Sequence, residues 1–457
     1  MHTNNLYLNF SPIQEVSDYF EHWASEGVKP LLLCEFDTPY DLDWSMYRGW
    51  YKGTRSFGSR AVPWEFCVGE WNAQFLGDRA FELSEVDKKN LRWEANKWKT
   101  SKAWLRWTYP YAIVGKSSRG HAHKNEVRSM YITDNWRAFR TYGVSALNEF
   151  GYSPFWHLRA GVKRERVDFK VNWDNVQKPG FSPDYVDSPY ERMDLGFDKD
   201  DWIAGGAAQA LYRNNLPLLA YIAGKAEHFT SKDHNFVAGE TFQKQLIVIN
   251  NSREAVKCDC SWSLALPKML RGATKFDIAA GTQRHIPLSF ELPKGLKPGS
   301  YELAITVTFS TGETQTDSFA VNVLPPVPSV KTKVKTALFD PKGETRKLLV
   351  QMGIQCESVD ADANLAEYDM LIVGKQALTV KSPAPDISRV RDGLKVILFE
   401  QSGEVMEKRF GFRIQEYGLR RVFPRVPDHP LLVGLKTENL RDWRGEATLI
   451  PLSLIHI

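Results

Sequence analysis

The chain has 457 residues, a length that at about 150 residues per domain accommodates about three domains. Its 43% hydrophobic and 25% charged composition is that of a folded globular protein and excludes wholesale disorder. Lys and Arg number 59 against 55 Asp and Glu, and the net +4 is too small to point to nucleic acid or an anionic membrane surface. No apolar run approaches the ~18 residues of a membrane-spanning helix. Tryptophan is the unusual residue: there are 15, and only Trp262 and Trp443 lie beyond residue 217. Aromatic faces crowded onto irregular segments suit flat ligands, sugar rings first and protein partners second. Five cysteines over this length make no disulfide framework.

In chain order, residues 6–10 (Leu-Tyr-Leu-Asn-Phe) alternate like a strand. Ser11 then suits an N-cap, Pro12 the first helical position, and Ile13, Val16, Phe20 and Trp23 recur at helical spacing up to Gly27. The continuous run Val28-Lys29-Pro30-Leu31-Leu32-Leu33-Cys34 predicts a strand buried on both faces of a parallel sheet. Strand, helix and strand in this rhythm form a βαβ unit. Residues 37–124 follow as a long insertion holding most of the tryptophans, and such stretches are usually functional. An amphipathic helix over 125–142 ends at Gly143, and a strand from Val144 runs into a loop at Asn148-Glu149.

From residue 217 the pattern becomes all-β, with short strands at 245–249, 258–266, 283–290, 301–309 and 319–324. This spacing predicts an Ig-like β-sandwich over 217–325. The stiff linker Leu324-Pro325-Pro326-Val327-Pro328 closes it. Beyond it, residues 331–452 alternate strand and helix as an α/β unit with a parallel sheet. The N-terminus lacks the features of a secretory signal, and the chain opens as if already inside a fold. The last five residues, 453–457, resemble translated sequencing-adapter read-through, so the chain is expected to be a fragment of a longer protein. No compartment follows.

Glu35 is the sharpest chemical candidate, a carboxylate where an apolar strand emerges at its carboxyl end. In a (β/α)8 barrel that end forms the active site. The segment Lys29-Pro30-Leu31-Leu32-Leu33-Cys34-Glu35-Phe36 resembles the seventh strand of clan A retaining glycoside hydrolases, β-galactosidase-like enzymes with a TIM-barrel catalytic domain. The resemblance implies that residues 1–216 are the C-terminal part of such a barrel. It implies a retaining β-glycosidase acting on plant or microbial oligo- or polysaccharide by double displacement, with Glu35 as nucleophile and no cofactor. The family's acid/base Glu would lie upstream of Met1, so the chain as written is expected to turn over no glycoside. Double displacement needs two carboxyl groups about 5–5.5 Å apart.

Asn148 and Glu149 fit substrate binding on the next strand. Glu70, within Trp64-Glu65-Phe66-Cys67-Val68-Gly69-Glu70-Trp71, is a further candidate, either to bind sugar hydroxyls or to order its loop by a hydrogen bond, and Trp44, Trp50, Trp64, Trp71 and Trp156 are expected sugar platforms. Metal chemistry is not expected. Asp37, Asp41 and Asp43 lack an EF-hand glycine and a terminal bidentate Glu. His121-Ala122-His123 lacks a third ligand, and Cys258-Asp259-Cys260 lacks a second pair.

The last unit, through Leu371-Ile372-Val373-Gly374 and Asp428-His429-Pro430-Leu431-Leu432-Val433-Gly434-Leu435, resembles flavodoxin-like modules of the class I glutamine-amidotransferase-like or β-galactosidase trimerisation type. It would then be an incomplete copy that serves homo-oligomerisation. Cys356 lacks the glycine-flanked elbow of an amidotransferase nucleophile. The alternative function is a non-catalytic carbohydrate-binding or assembly protein.

Overall fold

The structure, a computed structural model, describes residues 2–6, 13–36, 73, 75–82, 85, 122–149, 155–159, 199–326, 333–412, 414–416, 421–441 and 449–451. In the first unit, β1 (His2–Leu6), β2 (Leu31–Phe36) and β3 (Ala146–Glu149) form a parallel sheet in that order, with β2 central. Two short helices, α1 (Ile13–Asp18) and α2 (Glu21–Glu26), connect β1 to β2. The 20-residue α3 (Ala122–Thr141) precedes β3. Its buried stripe of Val127, Tyr131, Ile132, Trp136 and Phe139 covers one face of the sheet, and Phe36 meets Trp136 and Phe139 edge-to-face at 5.4 and 5.3 Å. Gly143 (φ 82°) ends the helix, and Val144 N returns to Phe139 O at 3.0 Å, a Schellman closure that turns the chain into β3.

After β3 the chain makes an antiparallel pair, β4 (Trp156–Leu158) with β5 (Trp202–Ala204), and a helix, α4 (Gly206–Asn215). The sandwich follows. One sheet has three strands, with β8 (Thr241–Asn250) between β6 (Leu218–Ala223) and β11 (Thr282–Glu291). The other has five, ordered β10 (Leu270–Ile278), β9 (Val256–Leu264), β12 (Gly299–Phe309), β13 (Thr314–Val323) and β7 (Asn235–Phe236). Leu246 and Val248 of β8 meet Cys258, Cys260, Ile305 and Val307 of the facing sheet in one core. On the other side of the three-stranded sheet, Leu219, Tyr221, Ile247 and Ile249 form a second buried cluster. β6 and β8 are therefore covered on both faces.

The last unit has a four-stranded parallel sheet ordered β15 (Glu357–Ser358), β14 (Thr336–Phe339), β16 (Met370–Val373) and β17 (Lys395–Leu398), with helices α5 (Glu344–Gln351) and α6 (Gly403–Phe410). A separate antiparallel pair joins β18 (Ile414–Glu416) to β19 (Leu449–Pro451).

This architecture corrects the expected one, which combined the C-terminal part of a (β/α)8 barrel, a sandwich and an incomplete flavodoxin-like unit. The chain is multidomain and mainly β-sheet, with few helices and a β-sandwich as its largest element. No barrel is shown. Among the described residues three parallel strands lie side by side without closing, and the pair after β3 is antiparallel. Apolar runs specify single strands and helices, but closure depends on strand pairing and shear that no single run encodes. Two local expectations also shift. The helix read from Ile13 to Trp23 is broken into α1 and α2 by a turn at Tyr19-Phe20, where Phe20 packs on Phe139 at 5.0 Å. In β2, Leu31, Leu33 and Phe36 are buried while Leu32, Cys34 and Glu35 are half-buried, so one face is sealed more completely than the other.

Candidate functional site

The carboxyl edge of the three-stranded sheet gathers polar groups from all its strands. β1 pairs with β2 so that Asn5 lies opposite Glu35, after a register shift between Asn4 and Asn5. Asn5 Nδ2 donates to Glu35 Oε2 at 3.1 Å. From the other side, Asn148 Nδ2 donates to Cys34 O at 2.9 Å, and Glu149 lies opposite Phe36. The β2–β3 register also shifts between Leu33 and Phe36. Irregularities of this kind re-aim side chains at a strand's end. Phe36 anchors the edge by filling the hydrophobic layer beneath α3, while half-buried Glu35 presents a carboxylate with Oε1 unengaged by Asn5. Open parallel sheets bind ligands outside their carboxyl ends. Here such a ligand would meet one carboxylate and two primary amides, a donor and acceptor set suited to a polyhydroxylated molecule.

The structure thus places Asn148 on the strand beside Glu35, bonded to the Cys34 carbonyl, and sets Glu149 opposite Phe36 on the same neighbouring backbone. Trp156 belongs elsewhere: it is half-buried against the first unit's core and stacks on Phe155 at 6.2 Å with planes 23° apart. Trp44, Trp50, Trp64, Glu70 and Trp71 lie outside the described residues, as do Asp37, Asp41, Asp43 and His121. His123 Nε2 bonds Glu82 O at 3.1 Å, and Nδ1 lies 3.7 Å from Glu126. Among the described residues, no group of three His, Cys, Asp or Glu could hold a metal ion, and no helix is long and apolar enough to cross a membrane. Cys258 and Cys260 sit in the sandwich core, where burial pushes their thiols up to about 11 and about 12. Burial also raises the Cys356 thiol, the opposite of what activates a cysteine nucleophile.

Asn5 is the residue that sequence reasoning passed over. The expected first strand begins at Leu6, one residue past Asn5, whereas the strand runs His2–Leu6 and residues 7–10 lie outside the described residues, so the bounds of the strand hid Asn5. Strand register is the second missing quantity.

No family model and no curated protein matches the chain. Among solved structures, similarity extends to the sporulation control protein Spo0M from Bacillus subtilis, at 14% identity and a TM-score of 0.17, over 24% of this chain and 50% of that one. It extends also to the CARDB domain of the PF1109 protein from Pyrococcus furiosus, at 13% identity and a TM-score of 0.19, over 23% of this chain and 87% of that one. A third is the ASH/PapD-like domain 7 of human CEP192, at 15% identity and a TM-score of 0.17, over 23% and 86% of the two chains. The matched stretch spans half the length of Spo0M. Each likeness is confined to about a quarter of this chain and is too low in TM-score to transfer any property.

Proposed function

We propose that the carboxyl edge of the three-stranded parallel sheet handles carbohydrate, and that Glu35 is the nucleophile of a retaining β-glycosidase. The observation that carries this reading is the Asn5 amide bonded to Glu35 at the end of the central strand, with the Asn148 amide on the adjacent strand bonded to the Cys34 carbonyl. The resemblance of residues 29–36 to the nucleophile strand of clan A glycoside hydrolases supplies the reaction class. In that reaction Glu35 Oε1 bonds to the anomeric carbon as the glycosidic C–O bond breaks, and water later releases the sugar with retained configuration. Asn5, by engaging Oε2, leaves Oε1 as the attacking oxygen.

An activated aryl glycoside tests the nucleophile alone, since a dinitrophenolate leaves without protonation and asks nothing of a general acid. A 2,4-dinitrophenyl 2-deoxy-2-fluoro-β-glycoside should transfer its fluorosugar to Glu35, read by intact mass and peptide mapping, and Glu35→Gln should take no label. Absence of an adduct across glucosyl, galactosyl and mannosyl probes at saturating concentration would sink the catalytic reading. Oligosaccharide binding without an adduct would leave the non-catalytic carbohydrate-binding alternative in its place.

A further inference from the structure

Residues 421–441 cross from the last unit to both other parts of the molecule. At their stem, Arg421 pairs with Arg441 across a β-bridge, and Val422 N donates to Leu440 O at 2.8 Å. One side of this stem grips residues 75–82, a described segment in the middle of the Trp-rich insertion. Arg421 Nη1 donates to Phe75 O, and Arg425 Nε lies 3.2 Å from Asp78 Oδ1. The Phe423 ring covers Gly77 so closely that a Cβ there would come within 2.6 Å of it. Gly77 also has φ 60°, so this contact needs glycine for two separate reasons. The other side of the stem grips the sandwich edge. Asn235 Nδ2 donates to Asn439 O and Arg441 O at 3.2 and 3.0 Å, and Asn322 Nδ2 donates to Glu438 O at 3.1 Å.

The gripped segment is short and held from below as well. Leu76 and Ala80 are buried in the first unit's core, Phe75 meets Tyr131 of α3 edge-to-face at 5.6 Å, and Arg79 pairs with Glu126 at 3.1 Å. The 3-10 stretch Gly77–Phe81, which continues from helical Phe75 and Leu76, is short, so contacts from both sides contribute strongly to keeping it folded. It stands only a few residues after Glu70 and Trp71 in the insertion that begins directly behind Glu35 and Phe36.

We infer that residues 421–441 are a strap by which the last unit fixes the middle of the Trp-rich insertion, at residues 75–82, to the sandwich, making sugar handling at Glu35 dependent on that unit. The dependence of the site rests on the reading of Glu35 above; the strap itself does not. Amide hydrogen exchange on the full chain tests it. Arg421→Ala combined with Arg425→Ala should speed exchange of the peptide covering 75–82 by about tenfold, with β8 and β12 unchanged as the control for folding. Asn235→Ala, which loosens the strap from its opposite side, should speed exchange of 436–441 and, to a smaller degree, of 75–82. Unchanged exchange of 75–82 in both variants would overturn the strap. If β8 or β12 also loses protection in the double variant, Asn235→Ala alone decides. The fluoroglycoside should label the double variant at Glu35 at least about fivefold more slowly than the unaltered chain. If the unaltered chain takes no label, the glycosidase reading fails while the exchange measurement still decides the strap. If label and exchange respond independently, the coupling is wrong and the strap is only structural.

Discussion

At the scale of single residues, the chemistry proposed for Glu35 depends on which of its oxygens is held. A carboxylate that accepts one directed amide hydrogen bond loses rotational freedom about its terminal torsion and presents the other oxygen to the edge of the sheet. Asn5→Ala should therefore slow fluoroglycoside labelling of Glu35 by about tenfold, the rate equivalent of about 1.4 kcal/mol, while leaving the half-saturating probe concentration unchanged. Asn5→Asp keeps the volume but turns a donor into an acceptor of like charge, and should slow labelling further. Equal loss of rate and affinity in both variants would indicate a disturbed strand rather than a lost orientation. A second residue, His234, ties the strap to the pH. It is half-buried with its ring stacked on Phe319 at 4.0 Å, its Nδ1 bonds Ala320 O at 2.7 Å, and the Arg441 guanidinium lies 3.4 Å from the same nitrogen. Burial first, and Arg441 second, lower its pKa to about 2. The unfolded chain takes up this proton near pH ~6.5 and the folded one only near the lowered value, so the contribution is complete above pH ~6.5 and is lost as the pH falls below it. The slope is at most about 1.4 kcal/mol per pH unit. Urea midpoints measured between pH 7 and pH 5 should fall, and His234→Gln should flatten that dependence.

At the scale of elements, α3 is the piece on which the first unit is assembled, and its closure is a single glycine. Gly143 has φ 82° and a Cβ there would meet nothing within 4 Å, so Gly143→Ala isolates the backbone cost of the left-handed conformation. It should lower stability by about 1 kcal/mol, read as a shifted urea midpoint at constant slope. This helix was legible in the sequence because its apolar stripe, Val127, Tyr131, Trp136 and Phe139, keeps a helical period and Gly143 marks its end. The strand at Leu31–Phe36 was legible for a similar reason, an unbroken apolar run leading into a carboxylate. The break between α1 and α2 was not, because Ile13, Val16, Phe20 and Trp23 keep helical spacing across it. There the packing of Phe20 on Phe139, a contact between residues far apart in sequence, overrides local preference. Strand neighbours were equally hidden. The barrel expectation extended one strand's likeness to a closed sheet, whereas the described strands stop at three and the chain turns back on itself at Trp156 and Trp202. The site was half legible: Glu35 stands out at the end of its run, but the Asn5 amide reaches it only through a register that shifts at Asn4/Asn5.

At the scale of the molecule, the first unit and the sandwich are joined by charge as well as by apolar surface. Arg137 of α3 forms a bidentate pair with Asp317 of β13 at 2.9 and 3.2 Å, donates from Nε to Asn214 at 2.9 Å, and lies over the Tyr221 ring at 5.1 Å. Asp317 also accepts from Ile222 N at 2.9 Å, so one carboxylate serves both the joint and the sandwich. Beside it Thr141 and the Tyr221 hydroxyl share a 2.6 Å hydrogen bond, Gln283 Nε2 donates to Thr141 O at 2.8 Å, and Lys232 pairs with Asp134 at 2.6 Å. Both partners of the central pair are largely out of water, with side-chain exposures of 13% and 15%, so each charge relies on the other. Removing one leaves the other desolvated and uncompensated. Asp317→Ala should therefore destabilise by about 3 kcal/mol, since it strands Arg137 and also orphans the Ile222 amide. Arg137→Ala should cost less, because Asp317 keeps Ile222 N. The distribution of the loss matters more than its size. If the two parts were independent modules that merely touch, Asp317→Ala would reduce hydrogen-exchange protection in β8 and β13 and leave α3 untouched. β6 and β8 are covered on both faces, and on the outer face Tyr221 bonds Thr141 and lies under Arg137 of α3, so that face of the sandwich is sealed with the help of the first unit. Amides of α3 and β8 should then lose protection together and by the same factor, and a variant that uncouples them would show that the shared face is a contact rather than a common core.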